Sequence, residues 1–203
     1  MTTSKKVHLI VAATKEGGIG FNGDMPWRLR KDMAYFKKVT TSFVNPSDSK
    51  STTSSSSTKL MNACIMGRKT WDSIPSAFKP LSGRMNIVLS RTIPESQLDN
   101  VKYFTTMEDA IVWCERNEID SVFVIGGGQI YSLALPYTDL LFITRVESPQ
   151  AIQCDVFLDI NMEQFQRVDD GQFKELLPFV ETMPFNEGTF QCQFQLWKKQ
   201  SDP

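Results

Sequence analysis

Asp32 carries the chemistry most open to reading. On a helix over 28–40, at about 100° per residue, Leu29, Met33, Phe36, Val39 and Thr40 form one stripe. Arg30, Lys31, Lys37 and Lys38 take the other side, and Asp32 falls between Phe36 and Val39, inside the stripe. A carboxylate there is costly to bury without a partner. It is a structural acid at the stripe's edge, or one salt-bridged to a nearby Arg, or a pocket acid of raised pKa. The last kind meets a cationic or amide-like ligand edge.

Three further segments offer anion donors. The run from Val122 to Ile125 reaches Gly126, Gly127 and Gly128, then a helical pattern with Gln129, Ile130 and Tyr131. Unobstructed N–H groups at such a junction suit a pyrophosphate. Ile65 and Met66 lead into Gly67, Arg68, Lys69 and Thr70. This is no Walker loop, since position 62 is Asn and Arg68, not Lys, follows the glycine. The run from Asn86 to Leu89 ends on Ser90 and Arg91. A guanidinium fork matches a phosphate monoester, and Arg68 beside Arg91 would clamp one. Each segment has a plainer reading as a tight or solvated turn. Ligands of open α/β sheets sit outside the carboxyl ends of strands. One phosphorylated dinucleotide therefore explains the three ends better than three coincidences do.

The elements that must position these groups follow from periodicity. Residues 7–13 predict a buried strand. That apolar run is at the short limit for a signal peptide and Lys15 and Glu16 follow at once, so a buried strand is the better reading. Gly17, Gly18, Gly20 and Gly23 mark a flexible loop, and Pro26 suits the first turn of a helix ending near Thr40. Strands are expected at 60–66, 86–91, 101–104, 121–125 and 139–146. Helices are expected after Thr70, over 106–117 and over 129–135. Strands alternating with helices argue for βαβ units. Residues 190–196 alternate with period two, as in a half-exposed antiparallel strand, and 173–181 offer a partner for it. The fold class is α/β: a single-domain, mixed, mostly parallel twisted sheet with an antiparallel C-terminal edge strand and helices on both faces. Residues 46–59 hold ten Ser or Thr in fourteen, which predicts a mobile surface insertion in one domain spanning 1–203.

Composition narrows the classes. The chain has 203 residues, 41% hydrophobic, with 22 Lys+Arg against 23 Asp+Glu. No whole-chain field draws nucleic acid or anionic lipid, and no apolar run approaches a membrane span. The four cysteines lie 38 to 50 residues apart, which fits reduced thiols rather than zinc or a disulfide framework. The one histidine, His8, sits in an apolar strand. No metal site is expected.

These residues, in this order, resemble dihydrofolate reductase over nearly the whole chain. The shared pattern includes Ile10 to Ala12, Ile19-Gly20, Gly23 to Trp27, Asp32 to Phe36, Met66 to Trp71 and Ser73 to Pro75. It continues with Pro80-Leu81, Gly83-Arg84, Leu89 to Arg91, Ile125 to Gly127, Tyr131 and Thr144. The 46–59 insertion lies outside the pattern and fits a fungal-like eukaryotic microbe. Met33 stands where relatives often have a larger or branched residue.

The resemblance implies NADPH-dependent reduction of 7,8-dihydrofolate to tetrahydrofolate, the one-carbon carrier for thymidylate and purine synthesis. Hydride passes to pterin C6 and a proton to N5. It implies a catalytic set of Asp32, Trp27 and Thr144: Asp32 on the pterin 2-amino group and N3, Thr144 orienting it, Trp27 holding a water. Substrate contacts are implied for Ile10, Val11, Ala12, Met33, Phe36, Ile74, Leu81, Arg84, Ile125 and Tyr131, with Arg84 on the glutamyl α-carboxylate. For NADPH it implies Ala12, Ile19 and Gly20 at the nicotinamide. Gly67, Arg68, Lys69, Thr70, Gly126, Gly127, Gly128, Gln129 and Ile130 hold the pyrophosphate side, and Leu89, Ser90 and Arg91 the 2′-phosphate side, with Arg68. Cis bonds are implied at Gly126-Gly127 and Lys79-Pro80. The partners implied are dihydrofolate and antifolate inhibitors, with no nucleic acid or membrane, in a cytoplasmic monomer. A fused thymidylate synthase domain is not expected, as the chain ends at Pro203. Competing readings are a riboflavin-pathway reductase, which lacks reason to combine Asp32, Trp27 and Arg84, and a nucleotide binder without turnover. Deleting 47–58 should leave turnover within about twofold of the full chain, since surface loop length weighs little on stability; steady-state kinetics of the deletion checks this.

Overall fold

The computed structural model describes residues 7–44, 61–92, 98–117 and 119–200. The Ser/Thr-rich insertion expected at 46–59 lies outside the described residues.

Strand β1 (Val7–Ala13) is followed by short β2 (Gly18–Gly20) and helix α1 (Arg30–Ser42). Then come β3 (Ala63–Gly67), α2 (Arg68–Ser73), β4 (Met85–Leu89) and β5 (Val101–Phe104). Helix α3 (Met107–Arg116), β6 (Val122–Gly126), α4 (Gly128–Ala134) and β7 (Thr138–Glu147) complete the alternating part. The C-terminal part holds β8 (Val156–Phe157), β9 (Phe165–Arg167), α5 (Asp170–Leu176), β10 (Phe185–Glu187) and β11 (Phe190–Lys199).

The main sheet runs β10-β11-β7-β1-β6-β3-β4-β5, with β9 also on β11. From β7 to β5 every pairing is parallel. Strand β11 pairs antiparallel with β7, β9 and β10. The C-terminal strand thus sits one place in from the edge, with β10 and β9 outside it. Its period-two pattern is genuine: Cys192, Phe194 and Leu196 are buried, while Gln193, Gln195 and Trp197 are partly so and Gln191 is exposed.

Alternation along β1 divides the core. Val7, Leu9 and Val11 enter one cluster with Ile65, Ile87 and residues of α3 and α4. Ile10 enters the other with Met66, Phe142 and residues of α1 and α5. His8 is fully buried among the rings of Phe43, Phe123 and Phe142. All four cysteines are free thiols.

Three expectations need correction. Pro26 is not in the first helical turn; α1 starts at Arg30. Trp27 and Leu29 are both buried, and Leu29 is extended (φ −117°, ψ 108°), so the chain fills the core before it coils. Residues 173–181 do not form the partner strand. The Asp169 carboxylate accepts from the N–H groups of Gly171 and Gln172 and starts α5 there, with Phe173 buried. The 17–25 loop is partly ordered by pairing: β2 bonds to β8, and the Leu158 N–H donates to Gly17 O at 2.7 Å.

Asp169→Ala should lower stability by about 1 kcal/mol, the usual weight of an N-cap. Urea unfolding of the two proteins measures it.

Candidate active site

The α1 helix lays its inner face over the carboxyl halves of β1 and β7. That inner face is Asp32, Tyr35, Val39 and Thr40. It is rotated from the sequence expectation. Tyr35 takes a core position that was not anticipated, Phe36 is half-buried, and Met33 is 43% exposed. Asp32 itself is only 5% exposed.

One strong bond meets the buried carboxylate. The Thr144 hydroxyl on β7 donates to Asp32 Oδ1 at 2.6 Å. No cation pairs with Asp32, so the salt-bridged structural reading fails among the described residues. Burial pushes the carboxyl up to about 6 from 3.8; the Thr144 bond opposes this, and the Glu187 charge adds to it. Trp27 Nε1 is buried near the start of α1 with no hydrogen-bond partner among the described residues. Tyr131, on α4, donates from its hydroxyl to Ile10 O at 3.0 Å, and burial, with the Asp32 charge adding to it, keeps that phenol protonated.

The sheet places the remaining candidates in two groups. Arg84 is 3% exposed, donating to Thr40 Oγ1 at 2.7 Å and to Ser82 O at 3.1 Å, with Phe36 beside its guanidinium at 5.7 Å. Ala12, Phe36, Ile74, Leu81 and Ile125 border the same core as Asp32. The Val11 side chain does not; it packs on the opposite face. The second group follows from strand polarity. Adjacent parallel strands β6, β3 and β4 end together, with Met66 level with Gly126 and Gly67 with Leu89. Gly126, Gly127, Gly128, Gly67 and Ser90 therefore share one edge.

Close packing there requires glycine. A Cβ on Gly67 would lie 2.9 Å from Ile130 Cγ1, and Gly126 has φ +134°. The bonds Gly126-Gly127 and Lys79-Pro80 are both cis. Thr70 faces the glycine pair, with its Oγ1 3.4 and 3.5 Å from where the two Cβ atoms would be. Lys69, Arg91 and Gln129 are exposed, and Ile19, Gly20 and Ile130 are half-buried. Arg68 is also exposed, but its Nε is held by Asp72 at 2.9 and 3.0 Å. Ser90 Oγ accepts from the Thr92 N–H at 3.3 Å.

Two residues near Asp32 escaped sequence reasoning. Tyr35 stacks on Phe194 at 4.0 Å, and Glu187 receives the N–H groups of Arg30 and Lys31. Nothing local announces Glu187, which lies over 150 residues from α1 in sequence. Two surface hollows, about 320 Å³ beside Trp113 and about 290 Å³ beside Phe190, do not contain Asp32. The acid's site is defined here by its burial and its bond to Thr144. Among the described residues no His, Cys, Asp or Glu group is arranged for a metal, and no helix is long and apolar enough to cross a membrane.

A mostly parallel sheet with glycine turns at its carboxyl edge and a lone buried acid beside it defines an α/β enzyme. A family model described as Dihydrofolate reductase matches residues 6–44 and 50–180. The chain is 37% identical to the dihydrofolate reductase of Heliothis virescens over 96% of its own length and 97% of that protein's. It is 36% identical to that of Candida albicans, covering 95% and 97%. The Schistosoma mansoni dihydrofolate reductase structure superposes with TM-score 0.76 at 30% identity, covering 98% of this chain and all of that one. The chain belongs to the dihydrofolate reductase family.

Asp32 gives a stability prediction. Its folded pKa lies above its unfolded one, so the folded state binds the proton more tightly. Stability from this group is full below about pH 4 and is lost as pH rises through about 6. Asp32→Asn should therefore be more stable than wild type above pH 6, by about 1–3 kcal/mol, with the gain gone near pH 4. Thermal unfolding across pH 4–8 tests the sign.

Proposed function

We propose that this protein reduces 7,8-dihydrofolate to 5,6,7,8-tetrahydrofolate with NADPH as the reductant. The observation that carries the reading is the buried Asp32–Thr144 pair beside a glycine-bearing sheet edge, in a chain of this family. NADPH when bound supplies the hydride that reaches pterin C6. The fit of a dinucleotide rests on the bare backbone of Gly67, Gly126, Gly127 and Gly128 gathered along one sheet edge, where N–H groups suit a pyrophosphate.

The chain's own residues do the rest. Asp32 accepts from the pterin 2-amino group and N3, an amide-like edge that suits a carboxylate in an apolar setting. Thr144 holds Oδ1, which leaves Oδ2 for the substrate. The unpartnered Trp27 Nε1 is a donor for a water that hands a proton on toward N5. Burial raises the Asp32 pKa toward neutrality, where an acid is most useful. Arg84 uses two of a guanidinium's five donors on Thr40 and Ser82. The others suit the α-carboxylate of the glutamyl tail. Met33, Phe36, Ile74 and Leu81 pack the pterin and benzoyl rings, with backbone from Ile10, Val11 and Ile125, and Tyr131 fixes Ile10. Ala12, Ile19 and Gly20 frame the nicotinamide. Residues 67–70 and 126–130 take the pyrophosphate. Arg68, Leu89, Ser90 and Arg91 take the 2′-phosphate, for which Arg68 must turn from Asp72.

The same pocket accepts antifolates that present a pterin-like amidine to Asp32. Family similarity over 6–44 and 50–180, broken only at 45–49, supports one domain, with the Ser/Thr-rich segment read as an insertion in it. Four free thiols fit a cytoplasmic enzyme, and we read it as a monomer.

NADPH absorbance loss with dihydrofolate tests the reading. Asp32→Asn should lose roughly 10²-fold or more in turnover, and the loss should deepen as pH rises. An undiminished variant would remove Asp32 from the mechanism, and no turnover by wild type would remove the reaction.

A further inference from the structure

Helix α1 has no cap of its own. Leu29, at the N-cap position, offers no side-chain acceptor. The acceptor comes from the far end of the chain. Glu187, the last residue of β10, receives the Arg30 N–H on Oε1 at 2.5 Å and the Lys31 N–H on Oε2 at 3.0 Å. Asp32 is the next residue, in the same first turn.

The hairpin that carries Glu187 reaches Asp32 by a second route. Its turn holds Gly188 at φ +62°, and Glu187 pairs with Phe190 across it. Further along β11, Phe194 pairs with Thr144, the residue that bonds Asp32. Phe194 also stacks on Tyr35, one turn along α1 from Asp32. The hairpin therefore holds both the helix that bears the acid and the strand that bears its donor.

We propose that Glu187 is a positioning residue for the acid of the reaction: its carboxylate spans the first free N–H groups of α1 and sets both the place and the local field of the turn carrying Asp32. This rests on Asp32 being the acid assigned above. A fixed negative charge at a helix N-terminus offsets the positive end of the helix dipole. That dipole would otherwise favour ionised Asp32. Glu187 thus makes Asp32 hold its proton to higher pH.

The other groups facing Asp32 do not compete with this. Tyr35 from α1, Tyr131 from α4 and Cys192 from β11 are all pushed up by burial, so they stay neutral across the working range. Thr144 from β7 is neutral. The side chains of Arg30 and Lys31 are exposed, and Lys31 Nζ is 3.5 Å from Glu181 and 4.8 Å from the Phe185 ring centre. Glu187 is the charged member of the set that bears on Asp32.

Two variants of the full chain separate charge from capping. Glu187→Gln keeps the reach and one acceptor oxygen for an α1 N–H, but loses the charge and the second acceptor. Glu187→Asp keeps the charge but is one methylene too short to span both N–H groups. The readouts are the carboxyl ¹³C titration of Asp32, assigned with Asp32→Asn, and the pH profile of dihydrofolate turnover. In Glu187→Gln the Asp32 midpoint should fall by about half a pH unit. Turnover should match wild type near pH 5 and be about threefold lower by pH 8.5, with KM unchanged. In Glu187→Asp the midpoint should stay near wild type while melting temperature drops. A midpoint unmoved in Glu187→Gln, or moved equally in both variants, overturns the proposal and leaves Glu187 as a cap. A midpoint that moves while the turnover profile stays fixed supports Glu187's hold on Asp32 and overturns instead Asp32's part in the reaction.

Discussion

One carboxylate, kept out of water with a single hydroxyl donating to it, is the constraint on which the rest depends. Removing a charge from solvent without a cation is among the least favourable things a fold can do. The chain accommodates it in two ways. Thr144 supplies a short bond to one oxygen, and the proton binds more tightly than it would in water. Both responses are also what an acid acting on a weakly basic ring nitrogen needs. In the reaction proposed above, the feature that weakens the fold is the one that does the work.

Holding that carboxylate in place takes elements from the whole length of the chain. Asp32 comes from the first helix, Thr144 from the seventh strand, and the helix start is secured from the C-terminal hairpin. The Tyr35–Phe194 stack ties the same hairpin to the same helix. A central strand runs between them: Tyr131 is hydrogen-bonded to Ile10 O on β1. Small shifts in any of these would move the acid relative to the glycine-bearing sheet edge.

That edge has its own cause. Parallel strands end on the same side, so whatever follows each strand is collected along one line. Gly67, Ser90 and the glycines from 126 to 128 are far apart in sequence and neighbours in space. Side chains are excluded at Gly67 by Ile130, and at Gly126 by a backbone angle that L-residues rarely adopt. Exposed backbone at a strand-to-helix turn follows from packing as much as from ligand chemistry.

The sequence by itself determined the strands and helices of the alternating region, because hydrophobic period and glycine turns are local signals. It determined that Asp32 lies on a core-facing stripe, and the ordered motif set was specific enough to indicate the family. It misplaced the start of α1, since burial of Trp27 and Leu29 overrides the helix preference of a proline at a first turn. It misread 173–181, where one capping carboxylate at Asp169 outweighs strand-like composition. Only the tertiary structure decided what surrounds the acid: the Thr144 bond, the absence of a paired cation among the described residues, the Tyr35 stack and the Glu187 cap. The physical reason is distance along the chain. Local propensity acts over a few residues, whereas each of these contacts joins residues more than a hundred positions apart and exists only once the sheet has brought them together.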